Sequence, residues 1–308
     1  MDSLAITRAS ARAAAVIVCL GLLAGGCRPQ EAVDPAEQVR VGWDRYRMGE
    51  FNQAVIAFES VVPVTTTNNP LHRRALYGLA TTWNLRRPGQ DPERAIELYR
   101  RVIELAPQSE EAAWSMLGLA RMKHLVPVGQ EPDYNAVRKA YQQVIDRFPK
   151  HLAGQEAFLY KQSTLVATLR PQDSRQAMSA IQQFIRLHPD SQFLSPLYRL
   201  MAECALILGE PEKRLEAELK ALETSEIDQT NPNMNYTWTY WNLATIAEFE
   251  VGDFQTARKY YKLLMEEYPK DVRIHAARTA LKRMDALETK IRAGLARSRP
   301  SPGGGGGT

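Results

Sequence analysis

The chain has 308 residues, of which 44% are hydrophobic and 24% charged, the composition of a folded protein with a sizeable core. Its 39 basic and 35 acidic residues give a net charge of +4. Basic and acidic residues are interspersed along the chain. This distribution argues against a nucleic-acid-binding protein, which needs its basic residues concentrated on one face. Three cysteines without a CxxC pair or a Cys/His cluster predict neither an internal disulfide nor a zinc site.

The first 26 residues are predicted to be a signal peptide. Arg8 and Arg12 form a basic start, and an apolar run follows over residues 13–24. This run is too short for a comfortable membrane-spanning helix, but it has the length of a signal-peptide core.

Small residues at positions 24–26 lead directly into Cys27. A cysteine in this place resembles the bacterial lipoprotein lipobox, although Ala24 stands where leucine is commonest. The resemblance implies cleavage before Cys27, acyl chains on Cys27 and a tether over residues 27–35. Position 28 is not aspartate, which in proteobacterial lipoproteins implies the outer membrane, with the protein facing the periplasm. The alternative is an ordinary secretory signal with an incidental cysteine.

The rest of the chain repeats itself about every 40 residues. Each copy has a small residue, a bulky residue four positions later, aliphatic residues at seven and eight, and often proline at twelve. The small positions are Ala54, Ala95, Val137, Ala177, Ala217 and Ala257, and the positions four later are Phe58, Tyr99, Tyr141, Ile181, Ala221 and Tyr261. The fifth copy lacks both the aromatic residue and the proline. Such a period predicts helical hairpins that bury their apolar faces only by stacking on one another.

An amphipathic helix precedes each of these segments, and two turns have the same form, Gly49-Glu50-Phe51 and Gly252-Asp253-Phe254. This helix–turn–helix unit resembles the tetratricopeptide repeat over residues 36–270. The resemblance implies an all-α fold, an α-solenoid in a right-handed superhelix of about six repeats. The long loops between paired helices, and the stretch around residues 140–161, are similar to the bacterial envelope subgroup that includes the BamD-type lipoproteins.

Residues 271–297 form a further charged amphipathic pattern, which predicts a C-terminal capping helix. Its apolar stripe, Ile274, Ala277, Leu281 and Met284, would cover the open end of the last hairpin. The tail over residues 298–308 is rich in glycine and is predicted to be disordered.

The first helices of the repeats are expected to line a concave groove that binds partners. Aromatic and arginine side chains anchor protein interfaces, and the groove candidates are Trp43, Tyr46, Arg47, Arg73, Tyr77 and Tyr160. The repeat register places Trp43, Tyr77 and Tyr160, together with Leu119 and Leu200, at one equivalent position. The alternative for any single residue is packing between repeats. The cluster Asn235–Trp241 (NYTWTYW) has the same two interpretations, with packing favoured.

No catalytic motif is present, and no cofactor or metal site is predicted. Paired carboxylates such as Glu110-Glu111 are expected on exposed helix faces, and Cys204 is expected to be a buried apolar residue. We therefore expect a non-enzymatic scaffold, anchored to the membrane through Cys27, that binds envelope proteins such as β-barrel or secretion components. The first pathway in which such a scaffold is expected is outer-membrane protein assembly. The alternatives are exopolysaccharide export, a plain spacer, and an enzyme with a cryptic site.

Overall fold

The computed structural model describes residues 34–84, 89–226 and 234–298. Over these residues the chain is helical, without strands, and it divides after Ser115 into two compact units. The predicted signal peptide, Cys27 and nearly all of the Gly-rich tail lie outside the described residues. The predicted all-α array of about six helical repeats with a capping helix is confirmed.

Six helical hairpins follow one another over the described residues. Their helices are α1 (Pro35–Arg47) and α2 (Phe51–Val61), α3 (Pro70–Asn84) and α4 (Pro92–Leu105), α5 (Glu110–His124) and α6 (Tyr134–Arg147), α7 (Leu152–Val166) and α8 (Pro171–Leu187), α9 (Leu194–Leu208) and α10 (Pro211–Glu223), α11 (Thr237–Thr245) and α12 (Phe254–Glu267). A short 3₁₀ turn, Val62–Val64, follows α2, and α13 (Ile274–Ser298) comes after the last hairpin.

The periodic positions of the sequence are the core positions of the hairpins. Ala54, Ala95, Ala177 and Ala257 are fully buried, and Val137 is 1% exposed. The residues four positions later are buried in all six copies, including Ala221 in the degenerate fifth copy. A small side chain lets two helix backbones approach, and the residue one turn later fills the space between hairpins.

The ends of the helices follow from local chemistry. Four second helices end two residues before a proline, which cannot continue the hydrogen-bond ladder: Pro107, Pro149, Pro189 and Pro269. The predicted tight turns are also present, since Gly49 and Gly252 have φ angles of 78° and 79°. Asp253 caps α12 by accepting hydrogen bonds from the backbone N–H groups of residues 255 and 256.

The last hairpin departs from the expected regular first helix. After Thr245 the chain continues as a π-helix, Ile246–Val251, before the turn at Gly252. The added residue changes which side chains face inward, and Glu248 is only 8% exposed as a result. The hydrophobic periodicity of residues 240–249 gives no sign of this change.

The capping helix packs on the last hairpin through the predicted stripe. Ala277 and Met284 are fully buried and Ile274 is 9% exposed, all in one core cluster with α11 and α12. Arg258 on α12 forms ion pairs with Asp285 and Glu288 on α13, each at 2.8 Å. Since hairpins at the end of an array expose an apolar face, this helix closes the core of the second unit.

Polar pairs join successive hairpins at nearly constant sequence separations. In the first unit Arg94 bonds to Glu59, 35 residues away. In the second unit Ser191 donates to Gln155, and Arg214 donates to Glu250, both across 36 residues. This interval is shorter than the 40-residue spacing of the small core positions because each pair joins different positions of neighbouring repeats.

Candidate partner-binding surface

The phenyl ring of Phe58 sets the approach of α1 and α3 in the first unit. A Cβ placed on Gly42 or on Gly78 would lie 2.5 Å from this ring, much closer than any van der Waals contact. Both helices therefore meet Phe58 with bare backbone, which only glycine allows. This close approach brings the side chains that follow Gly42 and precede Gly78 together.

Trp43 and Tyr77, the neighbours of the two glycines, belong to a group of rings that we call the first aromatic cluster. It consists of Trp43, Tyr46, Phe58, Tyr77 and Tyr99. The ring centroid of Trp43 lies 5.5 Å from Tyr46, 5.3 Å from Phe58 and 5.8 Å from Tyr77. Tyr77 in turn lies 6.1 Å from Tyr99. Edge-on and tilted geometries of this kind are favourable for aromatic pairs. The structure thus brings three of the six predicted groove residues into one contiguous group.

The cluster is buried at its base and accessible at its top. Phe58 is fully buried and Tyr99 is 2% exposed, whereas Trp43, Tyr46 and Tyr77 are half-buried. A rigid aromatic side chain with part of its surface still exposed is typical of interface anchors, because it loses little conformational entropy on binding. Each of the three half-buried rings packs against other rings and keeps an exposed part. Their use by a partner stays a prediction.

The predicted equivalence of Trp43, Tyr77 and Tyr160 along the array stays a prediction. Trp43 follows Gly42 and Tyr77 precedes Gly78, the two glycines that approach the Phe58 ring. The rings of Trp43 and Tyr77 lie 5.8 Å apart, so the first two hairpins contact each other through them.

The two arginines predicted to line the groove, Arg47 and Arg73, differ in their exposure and contacts. Arg47 is exposed and hydrogen-bonds to Asp44 on the same helix. The side chain of Arg73 is 17% exposed; its Nη1 donates to the carbonyl of Asn68 at 3.2 Å, and its Nε lies 3.9 Å from a carboxylate oxygen of Glu111. Arg47 is available to a partner, whereas Arg73 mainly joins neighbouring elements of the first unit.

The expectation that Glu110 and Glu111 both lie on an exposed face is wrong for Glu111. Its residue surface is 8% exposed, and its Oε1 accepts a hydrogen bond from Nε of Arg74 at 3.2 Å, across 37 residues. A carboxylate is buried only where cations or donors compensate its lost hydration. Two arginines on α3 do so here, and no local sequence signal marks Glu111 apart from Glu110.

Tyr160, the sixth groove candidate, lies in the second unit, in a separate group that we call the second aromatic cluster: His124, Tyr134, Tyr141 and Tyr160. Its ring stacks on that of Tyr141 with centroids 5.8 Å apart. The ring nitrogen Nδ1 of His124 hydrogen-bonds to the Tyr141 hydroxyl at 3.0 Å. The guanidinium of Arg121 lies 5.4 Å from the Tyr160 centroid.

Burial controls the ionisation of this second cluster. Desolvation raises the pKa of both Tyr141 and Tyr160, so the two hydroxyls stay protonated at every physiological pH. Desolvation also lowers the pKa of His124, which favours its neutral form as a partner for the Tyr141 hydroxyl. The group is therefore uncharged at its centre, with Arg121 at its edge.

The side chains of the aromatic segment Asn235–Trp241 differ in their surroundings, and the two predicted interpretations were core packing and partner docking. Tyr236, Tyr240 and Trp241 pack against the core of the last hairpin, and the Tyr236 hydroxyl contacts Ser225 of the preceding one. Trp238 points away from this core and is 67% exposed. The favoured packing interpretation is confirmed for the first three side chains and is wrong for Trp238.

A cleft that the sequence did not predict lies beside this segment. It has a volume of about 740 Å³ and is formed by the start of α9, the end of α10 and the start of α11; we call it the second-unit cleft. Its lining includes Asp190, Ser195, Arg199, Glu226 and Tyr236. The residues come from three separate stretches of chain, so no single motif could have revealed it.

The described residues contain no group of three or more His, Cys, Asp or Glu side chains placed to hold a metal ion. Cys204 is fully buried, and burial raises the pKa of its thiol to about 11. A thiol with so high a pKa is protonated and a poor nucleophile, as expected for an apolar core residue. Over the same part of the chain, no helix has both the length and the apolar character needed to cross a bilayer.

Family models for the tetratricopeptide repeat match residues 41–110 and residues 238–271, and no catalytic family is among the matches. No functionally curated protein matches the chain significantly.

Solved structures with a similar fold include PilW, described as a widely conserved type IV pilus biogenesis factor. It is 14% identical, with a TM-score of 0.53, and the match covers 79% of this chain and 97% of PilW. A tetratricopeptide repeat protein from Parabacteroides merdae is also 14% identical, with a TM-score of 0.45 and coverage of 83% and 86%. The family models, the fold shared with PilW and the hairpins with their buried small residues show that the chain contains tetratricopeptide repeats, a fold consistent with a scaffold for protein–protein interactions.

Proposed function

We propose that this protein is a lipid-anchored scaffold of the bacterial cell envelope, which holds segments of partner proteins on the first helices of its repeats. The observation that carries the proposal is the first aromatic cluster, with its half-buried Trp43, Tyr46 and Tyr77. A stacked array of hairpins presents such side chains on rigid helices, so little order has to be created on binding. The exposed Arg47 adds a forked hydrogen-bond donor beside the rings.

The anchor is proposed from the sequence of the first 27 residues. A basic start, a short apolar core and small residues before Cys27 are what lipoprotein processing requires. Acylation contributes roughly 0.8 kcal/mol per buried methylene, and more than one chain gives stable attachment. On this proposal the scaffold stands on the outer membrane and faces the periplasm.

Outer-membrane protein assembly is the first pathway we propose, from the resemblance to the BamD-type subgroup. Exopolysaccharide export is the alternative. The similarity to PilW is one of fold, and it adds assembly of a type IV pilus to the pathways that the partner's identity would decide. All three require the same physical property, a rigid surface that holds other envelope proteins.

Site-specific photo-cross-linking in native membranes tests the scaffold. A photoreactive amino acid at Arg47, which is exposed beside the first aromatic cluster, should cross-link to a defined envelope protein. The matched control is Ile56, which is 60% exposed on α2 and lies away from the cluster's accessible rings. A discrete adduct at position 47 that is absent at position 56 is the expected result, and a β-barrel protein in the adduct would favour outer-membrane assembly. Equal or absent cross-linking at the two positions would contradict the proposal.

The anchor is tested separately by metabolic labelling with an alkyne-bearing fatty acid, followed by membrane fractionation. The natural chain should be labelled and sediment with outer membranes, and Cys27→Ser should lose both properties. Cys204→Ala is the control, because Cys204 is fully buried in the core and should not carry a lipid. If Cys27→Ser still fractionates like the natural chain, the lipid anchor and the proposed location are wrong.

A further inference from the structure

We propose that the second-unit cleft, together with the exposed Trp238 beside it, is a second docking site that binds an extended, positively charged segment of a protein partner. This inference rests on the proposed scaffold function in that both involve protein partners. It concerns a different surface from the first aromatic cluster and does not depend on the lipid anchor.

Trp238 has the properties of an interface anchor. It lies on the first turn of α11, between Tyr236 and Thr239, both of which line the cleft. Trp238 is 67% exposed, and two further apolar side chains nearby in the fold, Met234 and Val272, are 46% and 92% exposed. Tryptophan is among the residue types most enriched at binding hot spots, and Trp238 is the chain neighbour of the lining residue Thr239.

The indole of Trp238 has a cationic neighbour. The guanidinium of Arg273 lies 5.6 Å from the ring centroid of Trp238. Arg273 in turn is fixed by Asp271, which accepts hydrogen bonds from its Nε at 2.8 Å and its Nη2 at 2.7 Å. A cation over the face of an indole favours that ring orientation, which lowers the entropy that binding would cost.

The charge of the cleft indicates the class of partner. Asp190 and Glu226 are exposed lining residues that form no ion pair within the described part of the chain, whereas the lining carboxylate of Glu223 is paired with Lys220 at 2.8 Å. Arg199 is the one cation among the lining residues, against the carboxylates of Asp190, Glu223 and Glu226. The formal charge of the cleft lining is therefore negative and favours lysine or arginine side chains.

The size and the remaining chemistry of the cleft fit an extended peptide. A volume of about 740 Å³ accommodates a few residues of chain and falls within the range of ligand pockets. Its hydroxyl and amide side chains, such as those of Thr224, Asn235 and Thr239, suit the N–H and C=O groups of an extended backbone. A partner segment would place a basic side chain near Asp190 and Glu226 and an apolar one on Trp238.

Fluorescence polarisation with the purified chain and three labelled peptides tests this inference. The probes, each of roughly ten residues, alternate lysine with leucine, glutamate with leucine, or lysine with serine. The lysine–leucine peptide should bind at least about tenfold more tightly than either of the others. Binding should fall at least about tenfold in Trp238→Ala and in the double variant Asp190→Asn/Glu226→Gln.

Two matched variants control for non-specific binding. Phe249 is 66% exposed with the guanidinium of Arg283 5.0 Å from its ring centroid, so Phe249→Ala removes a comparable aromatic elsewhere and should leave binding unchanged. Glu212→Gln removes an exposed carboxylate outside the cleft and should also have no effect. Absence of binding, equal binding of the glutamate–leucine peptide, or equal losses in the control variants would overturn the inference. The cross-linking and labelling experiments on the proposed function would be unaffected by that failure.

Discussion

The first and last hairpins use the same repeat position in opposite ways. Four residues after the key alanine, Phe58 in the first hairpin and Tyr261 in the last are both fully buried. Phe58 lies against bare backbone at Gly42 and Gly78. Tyr261 instead donates its hydroxyl to Glu248 at 2.9 Å, and Arg283 of the capping helix donates to the other oxygen of Glu248 at 2.6 Å.

The difference shows how one repeat position serves two tasks. At the start of the array, an aromatic ring between two glycines allows the closest helix approach and brings further aromatic residues together at an accessible surface. At the end, the hydroxyl of Tyr261 extends the same position into a polar network that attaches α13. The first arrangement is stabilised by packing, which is non-directional, and the second by hydrogen bonds whose partners must all be present.

Removing the ring of Phe58 should have the largest effect. We expect Phe58→Ala to lower the free energy of unfolding by about 3–5 kcal/mol, because a cavity forms between the first two hairpins. Chemical denaturation followed by tryptophan fluorescence measures this, with Ile56→Ala on the same helix as a control that should change stability by about 0.5 kcal/mol or less. A loss as small as the control's would mean that Phe58 does not hold the two hairpins together.

Adding one methyl group at Gly78 should come next. Gly78→Ala places a Cβ 2.5 Å from the Phe58 ring, and overpacking of this kind costs about 1–3 kcal/mol. The double variant Gly78→Ala/Phe58→Leu should be more stable than the sum of the two single changes predicts, because the smaller side chain makes room. Strict additivity in the same denaturation assay would contradict the proposed close approach.

Removing one hydroxyl from the polar network of the last hairpin should lower the stability by less than the two changes above. Tyr261→Phe keeps the ring and removes only the hydroxyl, which leaves one buried carboxylate oxygen of Glu248 without that donor and costs about 1 kcal/mol. The reciprocal change, Phe58→Tyr, adds a hydroxyl where only the ring fits between two backbones, so it should cost more. Equal thermal stability of the two variants would remove the distinction between the hairpins.

The pH dependence of the second unit should show the smallest effect. Desolvation lowers the pKa of His124, so below the ordinary value near 6.5 the unfolded chain binds a proton more readily than the folded chain. The stability contributed by neutral His124 should therefore be present above that value and decline as the pH falls below it. Denaturation at pH 7.5 and at pH 5.5 should differ less in His124→Gln than in the natural chain, and an unchanged difference would exclude this histidine as a cause.

The spacing and size of side chains along the chain predicted the number of hairpins, the main core positions and the ends of several helices. A small residue followed by a bulky one at four positions works through backbone approach and burial, which depend only on side-chain size and helical spacing. Prolines and glycines at the turns act locally, and for that reason Gly49, Pro107 and Gly252 could be read directly.

The contacts between hairpins could not be predicted from the sequence. Whether Trp43 meets Tyr77, whether Glu111 is buried and whether Trp238 is exposed all depend on contacts between residues far apart in the chain. The second-unit cleft likewise combines three helix ends, and the π-helix turns Glu248 inward through a one-residue change in register. Periodicity specifies which side of a helix is apolar, but the contacts of each polar or aromatic side chain are set by the neighbouring hairpin that packs against it.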